Sequence, residues 1–166
     1  MKKIIILLVF SSLILFNMNI MQAQTSATKL DQLELMKKFI GNWKGEFGDN
    51  SAFTSENKAF ANGMISMSRI TKNGETIESV AQLYGYDSKT DKFIIAELKA
   101  SSPVIEICST WFTSANAGEI IITNPEDAPF RFKFEFKTPD LLEQTAIQDN
   151  KVVNTILLER VKETKK

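Results

Sequence analysis

The side chains best suited to chemistry fall in three short runs. Glu97 and Lys99 lie in Phe93-Ile94-Ile95-Ala96-Glu97-Leu98-Lys99, Glu106 and Cys108 in Ile105-Glu106-Ile107-Cys108-Ser109-Thr110-Trp111, and Arg69 ends Met64-Ile65-Ser66-Met67-Ser68-Arg69. A carboxylate held out of water can act as a base, and a guanidinium offers a two-pronged donor to a carboxylate. On the first run Ile94, Ala96, Leu98 and Ala100 make a fully apolar face, which sets Glu97 and Lys99 toward water with Phe93 and Ile95. Glu106 stays open, because Ile105, Ile107 and Trp111 alternate against Cys108 and Phe112. Arg69 has two readings, inward to meet a ligand carboxylate or outward as a solvated residue. Cys108 is the single cysteine, so no internal disulfide forms, and in a strand-like run it reads as a small buried apolar group. The chain contains no histidine, which removes the commonest general base and the commonest zinc and haem ligand. Hydrolase schemes built on imidazole are excluded, and neither catalysis, nor a metal, nor a cofactor is expected.

The elements that position these residues begin after a leader. Met1-Lys2-Lys3 is a positive start, residues 4–16 are apolar apart from Ser11 and Ser12, and small and polar residues follow at Gln22-Ala23-Gln24. This pattern predicts a secretory signal over 1–23, cut near Ala23, and a single domain over 24–166. An uncleaved anchor is the alternative, although the apolar run is short of the roughly 20 residues a spanning helix needs. No cysteine lies near the cut, which excludes lipid attachment there. The expected location is exported, periplasmic or extracellular, with no membrane span after processing. Loss of Lys2 and Lys3 leaves 18 basic against 20 acidic residues. So balanced a chain lacks the basic surface that nucleic acid requires.

Residues 28–40 carry Leu30, Leu33, Met36 and Ile40 at helical spacing, predicting a short one-sided helix that starts near Thr28 and Asp31 and stops at Gly41. From Trp43 onward the period becomes two. Strands are expected over 43–47, 52–60, 64–71, 75–84, 92–100, 104–112, 119–123, 130–137, 141–148 and 152–161, with turns at Asn62-Gly63, Asn73-Gly74 and Asp149-Asn150 among others. Phe130-Arg131-Phe132-Lys133-Phe134-Glu135-Phe136-Lys137 alternates without error between a dry and a wet face. So long a meander removes its unpaired edges most simply by closing, which predicts an all-β, antiparallel up-and-down barrel of about ten strands with a short N-terminal helix. A two-sheet sandwich is the alternative.

The helix, the Phe39-Ile40-Gly41-Asn42-Trp43-Lys44-Gly45 opening and the meander together resemble the calycin superfamily, in particular lipocalin-like secreted bacterial domains of undefined function. The resemblance implies that Trp43, following Gly41, closes one end of the barrel and that Arg160 from the last strand packs across its ring. It departs from secreted lipocalins in lacking a disulfide, and from fatty-acid-binding proteins in that Arg160-Val161-Lys162 lacks the tyrosine of an Arg-x-Tyr pair. Any site is then the barrel lumen, with Met64, Arg69, Tyr84, Trp111, Phe132 and Phe134 as candidate lining residues, unless these simply fill a solid core. The expected function is non-catalytic binding or carriage of a small hydrophobic or amphipathic molecule. The other reading is a solid barrel that serves the cell envelope through its outer face. Oligomeric state is not legible.

Overall fold

A computed structural model describes residues 29–126 and 128–162. The leader expected at 1–23 and the Thr28 cap lie outside the described residues. Asp31 opens the helix, its Oδ1 accepting from the Glu34 amide at 3.1 Å and satisfying one of the free donors of the first turn. One α-helical stretch, α1 (Gln32–Met36), tightens directly into a 3-10 turn at Lys37–Phe39. That change of pitch alters the expected stripe. Met36 is buried, but Leu33 is 36% exposed and Gln32 takes its place inside.

Ten strands follow: β1 (Gly41–Phe47), β2 (Ser51–Phe60), β3 (Gly63–Lys72), β4 (Glu75–Asp87), β5 (Lys92–Lys99), β6 (Ile105–Phe112), β7 (Ala117–Asn124), β8 (Phe130–Thr138), β9 (Leu141–Gln148) and β10 (Lys151–Val161). Each pairs antiparallel with its neighbours in sequence, and β1 pairs with β10, so the sheet is a closed up-and-down barrel. Closure leaves no edge strand. Among the described residues no helix is long and apolar enough to cross a membrane.

The turns follow from residues that tolerate positive φ. Asn73 and Gly74 have φ of 52° and 85°, and Asp149 and Asn150 have 49° and 61°. The turn expected at Asn62-Gly63 falls one residue earlier, with Ala61 at φ 49° and Gly63 already paired opposite Phe60. Gly63 is needed for a different reason: a β-carbon there would strike the Tyr84 carbonyl oxygen.

One end of the barrel is sealed by the helix. Phe39 meets Phe134 and Phe136 edge-on at 5.1 and 5.0 Å, over a cluster that includes Trp43, Phe112, Leu142 and Leu158. Trp43 is 1% exposed and its Nε1 donates to the Phe39 carbonyl at 2.8 Å. The Arg160 guanidinium lies 4.2 Å from the centre of the Trp43 ring. It donates to the Ile40 carbonyl, to the Lys38 carbonyl at 2.9 Å and to the Pro139 carbonyl at 3.0 Å, and its Nε pairs with Asp140 at 3.0 Å. Gly41, at φ 122°, leaves room for this: a β-carbon there would sit 2.7 Å from Arg160 Nη1. Among the described residues the other end, ringed by the β3–β4, β5–β6 and β9–β10 connections among others, carries no helix.

Candidate functional site

Alternate residues of each strand point inward, and the register fixes which. One lateral row runs Asn57, Ser66, Gln82, Glu97 and Glu106 across β2 to β6. It shares an interior with Trp43, because Asn57 faces Gly41 in the same pairing that sets Ser55 opposite Trp43. The inner wall of these five strands is therefore a polar belt, rising from the helix end toward the mouth.

This corrects the placement of Glu97 and Lys99. Both point into the barrel on the same face as Phe93 and Ile95, each 1% exposed, while Leu98 on the face expected to be dry is 45% exposed. The apolar run Ile94, Ala96, Leu98 invites the opposite choice, but a strand paired on both sides takes its face from its neighbours' register. Glu106 is inward as well, opposite Glu97.

The cluster is bonded as a chain. Tyr84 Oη donates to Gln82 Oε1 at 2.9 Å, Gln82 Nε2 donates to Glu97 Oε2, and Lys99 Nζ lies 3.4 Å from Glu97 and 2.7 Å from Glu106. Two carboxylates share one ammonium, so the group carries a net negative charge. Burial lowers the proton affinity of Lys99, yet its hydrogen bond to Glu106 and the charges of Glu97 and Glu106 outweigh this and hold it above the usual lysine range. Burial, then the Glu97 charge, raises the Tyr84 hydroxyl well above its ordinary value. Burial, with Glu97 and Glu106, pushes the Cys108 thiol up to about 12, so at neutral pH it is a protonated, poor nucleophile.

At the inner end of the belt Asn57 is 8% exposed. Its Nδ2 donates to the Phe39 carbonyl at 2.8 Å, and its Oδ1 is buried without a partner. Across the lumen Ile122, Phe132 and Ala146 face in from β7, β8 and β9, beside Gln144 and Asn154 of β9 and β10. Ile122, Phe132 and Ala146, and the inward Ser55, Val80 and Gln82, are only half-buried. An inward side chain meets solvent only through the lumen or its mouth, so the barrel is open to solvent at this end.

The candidate lining residues divide. Met64, Tyr84, Phe132 and Phe134 face inward, with Met64 and Phe134 at 1% and 3% exposure in the packed floor. Arg69 and Trp111 are corrections. Arg69 is exposed on the outer face opposite Thr54 and Ser79, because Ser66, Ser68 and Ile70 take the inward positions of β3. Trp111 lies on the outer face between the inward Thr110 and Phe112, and the Lys92 ammonium sits 3.6 Å over its ring. Sequence reasoning set Glu97 and Lys99 toward water, left Glu106 open and did not single out Gln82. Their available signal was the repeat of polar residues at every second position, Glu97 and Lys99, beside Glu106 on the next strand.

Beside the helix a cleft of about 450 Å³ lies over Met64 and Phe93, bordered by Met36, Ile40 and Ala59. Its two charged residues, Glu34 and Lys37, are paired with one another at 2.5 Å. A groove of about 390 Å³ runs along β7 to β10, past Glu119, Lys133 and Glu143. Neither gathers inward polar groups as the lumen does. Among the described residues no group of three or more histidine, cysteine, aspartate or glutamate side chains is arranged to hold a metal ion. Compared with protein-family models and with curated protein sequences, the chain matches none.

Proposed function

We propose that the protein is an exported, calycin-like barrel that binds a small amphipathic molecule in its lumen and does no chemistry on it. The observation that carries this reading is the inward, half-buried Ile122, Phe132 and Ala146 facing the charged Glu97–Lys99–Glu106 group across the barrel. Such a cavity, mostly apolar with a few convergent polar groups, is what orients small ligands in proteins. The polar end of the ligand lies at the carboxylates near the mouth and its apolar body runs toward the aromatic floor. Lys99 is already shared by two glutamates, and Arg69 is outside, so this cluster offers a carboxylate ligand no free cation among its own residues. It favours instead a head group rich in N–H donors or bearing positive charge. The raised Cys108 thiol and Tyr84 hydroxyl support carriage rather than catalysis.

Native mass spectrometry of the protein purified gently from cells expressing the full 166-residue sequence tests the reading. A bound small molecule, lost on substitution of Phe132 by a charged residue that leaves the fold intact, is the expected result. A mass equal to that of the bare chain, with no uptake from a lipid or metabolite extract, would refute it.

A further inference from the structure

At its inner end the polar belt stops on an amide that is only partly bonded. Asn57 is 8% exposed, and its Nδ2 donates to the Phe39 carbonyl at 2.8 Å, which also accepts from Trp43 Nε1 at 2.8 Å. A carbonyl oxygen cannot face Oδ1, so the amide cannot turn over, and Oδ1 is left buried with no donor among the described residues. Gln82, two strands along the same row, differs: its Oε1 accepts from Tyr84 and its Nε2 donates to Glu97. Buried polar atoms are nearly always paired. Asn57 stands one inward position nearer the helix than Ser55, which is half-buried, so it lies at the base of the part of the lumen that solvent enters.

We infer that Asn57 Oδ1 receives a neutral hydroxyl at the inner end of the ligand, so that the molecule held is polar at both ends. The inference rests on the lumen reading above. The surroundings select a hydroxyl. The inward positions next to Asn57 belong to Gly41, Ser55, Ala59 and Ser66, so no carboxylate stands there to receive a cation. The space over Gly41 is filled by the Arg160 guanidinium, since a β-carbon on Gly41 would sit 2.7 Å from Nη1, and a second positive charge there is repelled. An anion would meet Oδ1 as acceptor against acceptor, beside a guanidinium whose donors already go to Asp140 and three carbonyls. A hydroxyl both donates and accepts. Its proton goes to Oδ1, and its oxygen takes the proton of Ser66, which faces Asn57 across the β2–β3 pair and is 3% exposed. Asn57 and Glu97 are three strands apart on one row, roughly 14 Å at the usual strand spacing. An extended dodecyl chain spans that distance, with a charged head at Glu97 and Glu106.

Calorimetric titration with dodecyltrimethylammonium and its ω-hydroxy counterpart, which share head group and chain length, tests this on protein produced from the full sequence and recovered as the cell leaves it. The hydroxylated probe should bind the parent about tenfold more tightly, although its chain is the less apolar. Asn57→Leu, close in volume, should reverse that order and leave the unsubstituted probe bound at least as tightly. The Phe39 carbonyl keeps its Trp43 bond in this variant, and an unchanged far-ultraviolet spectrum checks the fold. Ser66→Ala, which leaves Asn57 in place, should reduce the preference about threefold. Equal binding of the two probes by the parent, or tighter binding of the unsubstituted one, would overturn the inference and leave the lumen reading standing, with Oδ1 bonded to water only. A hydroxyl preference that survives Asn57→Leu would overturn it as well. Binding of neither probe would remove the lumen reading and this inference with it.

Discussion

Arg160 does more work on backbone than on side chains. It donates to the carbonyls of Lys38 and Ile40, where the helix turns into β1, and of Pro139 in the β8–β9 turn, and its cation stacks on Trp43. Arg160→Ala should lower unfolding stability by about 2–3 kcal/mol in urea titrations. Arg160→Lys should recover less than half of that, because an ammonium cannot bond three divergent carbonyls. Equal stability for the lysine variant and the parent would mean that charge alone fastens this end. At the same scale, Cys108, Tyr84 and Lys99 all hold their protons more tightly than their ordinary pKa values of 9.0, 10.0 and 10.5. A group whose folded pKa is raised contributes stability in full below its unfolded pKa, and that contribution is lost as pH rises through the folded value. The melting temperature should therefore fall as pH climbs from about 9 toward 12, the thiol contributing first, and Cys108→Ala should flatten the onset near pH 9. A melting temperature that holds or rises over that range would show these groups to be ordinary in the folded state.

The elements were readable to different depths. All ten strands lie where alternation and turn residues put them, because period two and paired Asn-Gly or Asp-Asn residues are local properties of the chain. The helix was read less well: its stripe assumed 3.6 residues per turn, and the 3-10 turn at Lys37–Phe39 changes the phase and brings Gln32 inside. There Gln32 substitutes for a strand, donating from Nε2 to the Phe112 carbonyl at 3.0 Å and accepting from the Phe112 amide at 2.8 Å. No local pattern marks a glutamine for that place, because its partner is 80 residues away. Gln32→Leu keeps the volume and removes both bonds, so it should cost about 2 kcal/mol and hasten amide exchange at Phe112. Protection at Phe112 unchanged from the parent would show that the helix is held by its aromatic contacts alone.

For the whole molecule, closure decides what the sequence left open. The two faces of β5 are nearly balanced, with Ile94, Ala96 and Leu98 on one side and Phe93 and Ile95 beside Glu97 and Lys99 on the other, and hydrophobicity favours the wrong one. Pairing with β4 and β6 reverses the choice, setting Glu97 between Gln82 and Glu106. One reversal has two consequences: carboxylates enter the lumen, and apolar residues come to the outer surface. Arg69 and Trp111 leave the candidate site by the same logic, since the inward positions beside them are occupied by Ser68 and Phe112. What the proposed lumen site would hold then depends on the sign of its interior. Calorimetric titration with two probes of equal chain length, dodecyltrimethylammonium and dodecanoate, both below their micelle concentrations, measures that sign directly. One equivalent of the ammonium should bind at least about tenfold more tightly than the carboxylate, a difference of ~1.4 kcal/mol, and Glu97→Gln with Glu106→Gln should abolish the preference. Binding of neither probe would contradict a ligand-holding lumen, and tighter binding of dodecanoate would contradict the acidic wall.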